Sequence, residues 1–285
     1  MTHSPAMDTS LSTADGLKLH LSHHPAGTAA HGVVVLVHGL GEHLGRYAHV
    51  IAHLNHWGWH VLAYDQRGHG LSEGPHGALH TPHDLLDDLA RVVDAARTAH
   101  RGPLVLLGHS LGGLVAARFA GDASAPWSRP VDGLAMSSPA LDPGMNAAQK
   151  LLLAVLGPLA PGLAVHNGLK PAWISRDTAV VAAYVADPLV HDRVTPRMVR
   201  FIVDAGEWVH RHAATWTVPT LLLYAGSDRC VAPAGSRAFA AEAPKKLVTA
   251  HEFGPLFHEI FNEPEQIGVF AGLQAGLGRF ASPPH

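Results

Sequence analysis

In LVLLGHSLGGL, residues 104–114, an apolar run ends at Gly108, Ser110 follows, and Gly112 and Gly113 lead into the helix-like GLVAARFA. Glycines on both sides of a serine, with a strand before and a helix after, form the local pattern of a nucleophile elbow. They let chain segments approach closely around a strained turn that lifts the hydroxyl clear, and the helix N-terminus favours developing negative charge. The same string also serves as a plain strand-to-helix connection, so the reading depends on partners. A serine hydroxyl is a weak nucleophile without a base. LLLYAGSDRCV supplies Asp228 just past an apolar run, and HEFGPLFHEIFNE supplies His258 in a loop beyond the last such run. Ser110, Asp228 and His258 then follow one of the known chain orders of a serine–histidine–acid triad.

The competitors are weaker. Asp187 and Asp204 fall in a region without strand patterns, and His251 lies in or at the end of the last strand. His109, beside the serine, is expected to point away from it as a structural residue. A tetrahedral oxyanion needs donors as well. The backbone N–H of Leu111, directly after the serine, is one candidate. The N–H of Leu40, in the glycine-rich HGLG that follows VVVLV, is the other.

The runs VVVLVHG (33–39), HVLAYD (60–65), PLVLLGH (103–109), GLAMSS (133–138), PTLLLYAG (219–226) and, more weakly, KKLVTAHEF (245–253) must position these residues. They are continuous rather than alternating, as strands buried on both faces of a parallel sheet are. Between them, TPHDLLDDLARVVDAARTAH (81–100) reads as a helix with Thr81 as N-cap, Pro82 at the first position, and Leu85, Leu86, Leu89, Val92, Val93 and Ala96 on one face. Alternating strands and helices predict an α/β fold with a mostly parallel sheet. Residues 1–14 are polar and read as a frayed terminus. Residues 15–141 and 217–285 form the core. Residues 142–216 show no strand and several Pro- and Gly-broken helices, and read as a helical cap over the strand ends, inserted before the last strands.

Composition narrows the classes. With 285 residues and 47% hydrophobic content the chain can bury a large core. A net charge of −3 without a basic block gives no sign of a nucleic-acid partner. The single cysteine, Cys230, allows no internal disulfide and reads as a small buried filler. The start MTHSPAMDTS lacks the pattern of a signal peptide, and the apolar stretch 151–165 is broken by Pro158 and Pro161, so a cytoplasmic location is expected. The 24 histidines show no zinc spacing such as His-Glu-x-x-His, and no metal or organic cofactor is expected.

HGLGEHLGRY (38–47), YDQRGHGLSEG (64–74), LGHSLGG (107–113), YVADPLV (184–190), GSDRCV (226–231) and HEIFNE (258–263) carry a resemblance across the chain after residue 14. On them the chain resembles the monoacylglycerol lipase / lysophospholipase group of α/β-hydrolases, the serine aminopeptidase S33-like hydrolases. The resemblance implies the α/β-hydrolase fold, with Ser110 as nucleophile, His258 as base, Asp228 as its orienter, and Leu40 and Leu111 as oxyanion donors. Glu42 and Arg46 match polar positions near the pocket, where they either meet substrate or form an ion pair that fixes the loop. Tyr184 matches a cap tyrosine at the alcohol end. Phe261 departs from the family, whose mammalian members carry a histidine there near the glycerol site. That departure points to a more apolar or broader leaving-group site.

The implied reaction is hydrolysis of a monoacylglycerol or similar medium- or long-chain monoester. A short-chain carboxylesterase, a lysophospholipase and a ligand-binding receptor on the same fold are the alternatives. Dehalogenases and epoxide hydrolases carry aspartate at the elbow, which Ser110 does not match. The implied partner is a small lipid-like ester. The 150–165 stretch is expected to line an acyl tunnel, with at most transient membrane or micelle contact. Nothing in the sequence sets the oligomeric state.

Overall fold

A computed structural model describes residues 6–27 and 30–281. Eight strands form the central sheet: β1 (Met7–Ser12), β2 (Lys18–His24), β3 (Gly32–Val37), β4 (Trp59–Tyr64), β5 (Leu104–His109), β6 (Gly133–Ser137), β9 (Thr220–Ala225) and β10 (Val248–Phe253). Their spatial order is β1-β2-β4-β3-β5-β6-β9-β10. The strands from β4 through β10 pair in parallel, and β2 joins β4 antiparallel. This is the mostly parallel α/β sheet expected from the alternating runs, in the α/β-hydrolase architecture that the family resemblance implies.

The continuous apolar strands have the predicted cause. Val33, Val35 and Val37 of β3 enter one core cluster, while Val34 and Leu36 enter the cluster on the opposite face. Helices α2 (Asp84–Ala99), α3 (Leu111–Gly121) and α7 (Pro233–Glu242) cover the first face; α1 (Ala48–His56) and α8 (Gln266–Leu277) cover the second. With both faces covered, no position on β3 can be polar without an unpaired buried group.

Three expectations change. Residues 7–12, read as part of a frayed terminus, form β1, pairing antiparallel with β2 from Met7↔His23 to Ser12↔Lys18. Their side chains are almost all exposed, so an edge strand held by backbone pairing left little hydrophobic pattern to read. Residues 1–5 lie outside the described chain. Helix α2 starts at Asp84 rather than after Thr81. The Asp84 carboxylate accepts from the N–H groups of His80 (2.6 Å) and Thr81 (3.0 Å) and so closes the turn that a Thr81 cap would have opened.

The region 142–216, read as strandless, contains two two-residue strands, β7 (Val165–His166) and β8 (Arg193–Val194), paired antiparallel. They are too short to leave a periodic signal. The region lies between β6 and β9 and also holds α4 (Ala147–Leu156), α5 (Thr178–Ala186) and α6 (Pro196–Arg211). Helix α6 buries Met198, Phe201, Ile202, Ala205 and Val209 in the same cluster as α3, so it is part of the core. Helix α5 buries no side chain, and Leu151 and Leu152 on α4 are 65% and 59% exposed. Among the described residues, no helix is long and apolar enough to cross a membrane.

Candidate active site

Ser110 occupies the turn between β5 and α3 with φ 53° and ψ −119°, in the left-handed region that a side chain rarely adopts. The flanking glycines make that turn fit. A Cβ on Gly108 would lie 2.3 Å from the Gly112 carbonyl oxygen, and one on Gly112 would lie 2.2 Å from the Val37 oxygen. Backbone bonds hold the turn further: Ser110 donates to the Ser137 carbonyl (3.0 Å), and its own carbonyl accepts from Leu114 (3.1 Å) and Ala140 (3.0 Å).

Asp228 follows β9 and His258 follows β10, so the register of the parallel sheet delivers both to the end of the sheet where Ser110 sits. His258 Nδ1 donates to Asp228 Oδ2 at 2.7 Å, and Ser110 Oγ donates to His258 Nε2 at 2.9 Å. The directions follow from chemistry: an ionised carboxylate only accepts, so Nδ1 carries the proton and Nε2 is left basic. Asp228 Oδ1 also accepts from the N–H groups of Cys230 (2.8 Å) and Val231 (3.1 Å). Burial alone would raise the Asp228 carboxyl, but the His258 ring and these donors hold it below the usual range. Burial alone would lower His258, yet Asp228 beside it, with Glu259 and Glu42 near, raises it above an ordinary histidine.

The loop bearing Leu40 is fixed by buried bonds. Gln66 N–H donates to His38 Nε2 (2.9 Å), so His38 carries its proton on Nδ1 and donates to the Gly39 carbonyl (2.7 Å). Gly39 N–H donates to Glu42 Oε1 (2.7 Å), which also accepts from the Tyr47 hydroxyl (2.6 Å). A Cβ on Gly39 would sit 3.2 Å from Ser110 Cβ, which places this loop directly against the serine. Among the described residues, neither the Leu40 nor the Leu111 N–H has an acceptor.

Glu42 and Arg46 form the ion pair foreseen as an alternative to substrate contact, at 2.6 Å, and the pair extends to a residue the sequence reading missed. Arg46 forks onto both oxygens of Glu259, at 2.6 and 2.7 Å, and its guanidinium lies over the Tyr184 ring at 4.8 Å. Burial opposes the charge on Glu42, but Arg46 overrides it and pulls the carboxyl down to about 2. Glu259 adjoins His258 in the chain, and that adjacency was the signal available for it.

Other candidates fall elsewhere. Asp204 pairs loosely with Arg200 on the exposed face of α6, Asp187 accepts from or ion-pairs with His43 at 2.8 Å, and His251 is exposed on β10. His109, expected to point away, has its ring 4.7 Å from that of His258 and lines the cavity. Its Nδ1 meets Ser137 Oγ at 3.1 Å, and burial and the His258 charge pull it down to about 4, so it stays neutral. Phe261 is not brought to the site. It is buried against Phe270 (5.2 Å between rings) in the cluster under α8, because the short turn at Ile260–Asn262 rolls it into the core. Phe261, a substrate-binding candidate from the sequence, therefore does not line the cavity.

A cavity of about 530 Å³ opens above Ser110 and His258, with Leu40, Glu42, Tyr184 and Cys230 on its walls. Asp228, Cys230 and His258 bring potential metal-ligand atoms within 4.8 Å of one another. They do not suit an ion: the carboxylate and ring are already bonded together, and burial, with Asp228 beside it, holds the Cys230 thiol protonated.

Residues 28–265 match the family model for serine aminopeptidase, S33. The monoacylglycerol lipase of Mycolicibacterium smegmatis is 35% identical over 274 residues, covering 93% of this chain and 95% of that protein. Phospholipase YtpA of Bacillus subtilis is 31% identical, covering 85% and 93%. The crystal structure of Paleococcus ferrophilus monoacylglycerol lipase is similar with a TM-score of 0.80 at 36% identity, over 92% of this chain and 99% of that one. The chain belongs to the serine aminopeptidase S33 family of α/β-hydrolases.

Proposed function

We propose that the chain is a carboxylic ester hydrolase that cleaves monoacylglycerols or similar medium- and long-chain monoesters through an acyl-enzyme on Ser110. The observation that carries this reading is the continuous hydrogen-bond line from Asp228 through His258 to Ser110 Oγ at the floor of the cavity. His258 Nε2 takes the hydroxyl proton as Oγ attacks the ester carbonyl, then returns it to the departing alcohol. The N–H groups of Leu40 and Leu111 receive the oxyanion, and Gly39 and Glu42 hold the Leu40 donor in place without reorganisation. Water activated by the same ring then releases the fatty acid. Asp228 stays ionised throughout and stabilises the imidazolium. Tyr184 lies on the cavity wall, which suits its proposed place beside the alcohol of the ester. The exposed Leu151, Leu152 and Leu159 suit transient contact with a lipid surface. The lipase and phospholipase names of the relatives support the ester class.

The test is fatty-acid release from 1-mono-oleoylglycerol by wild type and Ser110→Ala. Loss of the nucleophile is expected to lower kcat by roughly 10⁴–10⁶-fold. A wild type inactive on this and on short acyl esters would sink the reading; activity on short esters alone would move the enzyme to a general carboxylesterase.

A further inference from the structure

The cavity wall is chemically lopsided. Its carboxylates are all engaged: Glu42 and Glu259 by Arg46, Asp187 by His43 and the Leu189 N–H, and Asp192 by His166 and Arg193. The donors on the side formed by β7 and β8 are not. Asn167 Oδ1 accepts from the Leu169 N–H at 2.9 Å, but its amide Nδ2 has no acceptor among the described residues. Among the described residues, the Lys170 ammonium has no carboxylate partner, and it lies 5.5 Å from the Trp173 ring. Arg193 pairs with Asp192 at 3.2 Å from Nε, and among the described residues its terminal guanidinium nitrogens have no hydrogen-bond acceptor.

Their grouping is built by the fold. His166 and Arg193 are direct cross-strand partners, the Asn167 N–H just after β7 donates to the Asp192 carbonyl at 2.7 Å, and Lys170 follows in the same loop, so the ribbon and its loop bring Asn167, Lys170 and Arg193 to the cavity wall. Asn167 also sits against the oxyanion loop: its Nδ2 lies 3.9 Å from where a Cβ on Gly41 would be. A glycerol headgroup offers only neutral hydroxyls to such a rim. A phosphate monoester offers close to two negative charges and three acceptor oxygens, which suit an ammonium, a guanidinium end and an amide together. A zwitterionic headgroup would need an aromatic or acidic seat for its cation, and here the carboxylates are taken while the Tyr184 and Trp173 rings already face Arg46 and Lys170.

We propose that Asn167, Lys170 and Arg193 form a subsite for the phosphate of an anionic monoester, so that the preferred substrate class is the acylglycerol phosphate rather than the neutral monoacylglycerol. The proposal rests on the ester-hydrolase reading above. Water is consumed, the acyl C–O bond breaks, and the products are a fatty acid and a glycerol phosphate whose charge remains on the rim until release.

The experiment compares kcat/KM for 1-oleoylglycerol 3-phosphate and 1-oleoylglycerol in wild type and in Lys170→Gln/Arg193→Gln, across a sodium chloride series. The wild-type ratio is expected to favour the phosphate ester and to fall with salt. The double variant is expected to lower that ratio by about tenfold or more and to flatten the salt dependence. A ratio that changes less than about twofold overturns the subsite while leaving the ester-hydrolase reading intact. Binding of glycerol 3-phosphate and of inorganic phosphate to Ser110→Ala, by calorimetry, separates the two ideas. Binding of the glycerol ester that weakens about tenfold with the two glutamines supports the subsite even if no ester is hydrolysed. Equal binding of inorganic phosphate would identify a free-phosphate site and overturn the headgroup assignment, and no binding of either would overturn the subsite.

Discussion

The two walls of the cavity are made differently. The floor, carrying Ser110, His258 and the Leu40 loop, is pinned by buried, short-range bonds: glycines packed onto backbone oxygens, and an arginine forked between Glu42 and Glu259. The roof, from residue 142 to His191, exposes apolar side chains, and its ties to the rest of the chain include Ser175 and Arg176 onto Asn262 and Glu263, the Glu259 N–H on the Ile174 carbonyl, the Asp187–His43 contact and the His191 N–H on the Gly41 carbonyl. The proposed chemistry, which must hold an oxyanion within tenths of an ångström, sits where the chain cannot shift. The surface proposed to meet a lipid sits where side chains cost little to move.

Four changes would break or sharpen that contrast. The largest effect is expected at the floor: Asp228→Asn should keep the fold, with the melting temperature near wild type, while lowering kcat by roughly 10⁴-fold through loss of the required histidine tautomer. A retained rate would mean that another acid orients His258. Next, Arg46→Leu strands the two carboxylates of Glu42 and Glu259. Removing one partner of a buried pair costs about 3–5 kcal/mol, read as a lower denaturant midpoint. If the midpoint barely moves, the fork does not hold the floor together.

The pH profile comes third. His258 must be neutral to act as base, and its folded-state pKa is raised, so the acid limb of kcat/KM should have its midpoint above that of an ordinary histidine, roughly 6.5. The same shift favours the folded state at pH below the unfolded pKa, and that contribution is lost as pH rises through the raised folded value. A midpoint below about 6.5 would contradict the Asp228 and Glu259 fields invoked here. Smallest is the roof: Leu151→Ser and Leu159→Ser, at 65% and 77% exposed side chains, should change stability by less than about 0.5 kcal/mol and leave turnover of soluble short esters alone. A loss of several kcal/mol would show that this apolar face is packed in solution.

Ser110, Asp228 and the Leu40 loop were legible because each lies at the end of a buried strand, where apolar runs and glycines leave strong local marks, whereas His258 follows the mostly exposed edge strand β10 and was legible from its place in the chain after Asp228. Glu259 was harder to see: its partner Arg46 lies 213 positions away, and nothing local distinguishes a carboxylate that will be buried. Phe261 was misplaced for the same kind of reason. Its position three residues after His258 is plain in the chain, but the turn that rolls it under α8 depends on Phe270 being there to receive it.

The sequence by itself determined the buried strands of the parallel core, the turn at Ser110 and the chain order of Ser110, Asp228 and His258, because burial on both faces and the steric demands at Gly108 and Gly112 are written in residue type. Tertiary structure alone decided that β1 pairs at the edge, that α6 joins the core rather than the roof, and which charges on the cavity wall are spent on one another. Those outcomes depend on which distant groups meet, and the free energy of a buried polar side chain is set by its partner rather than by its neighbours in the chain.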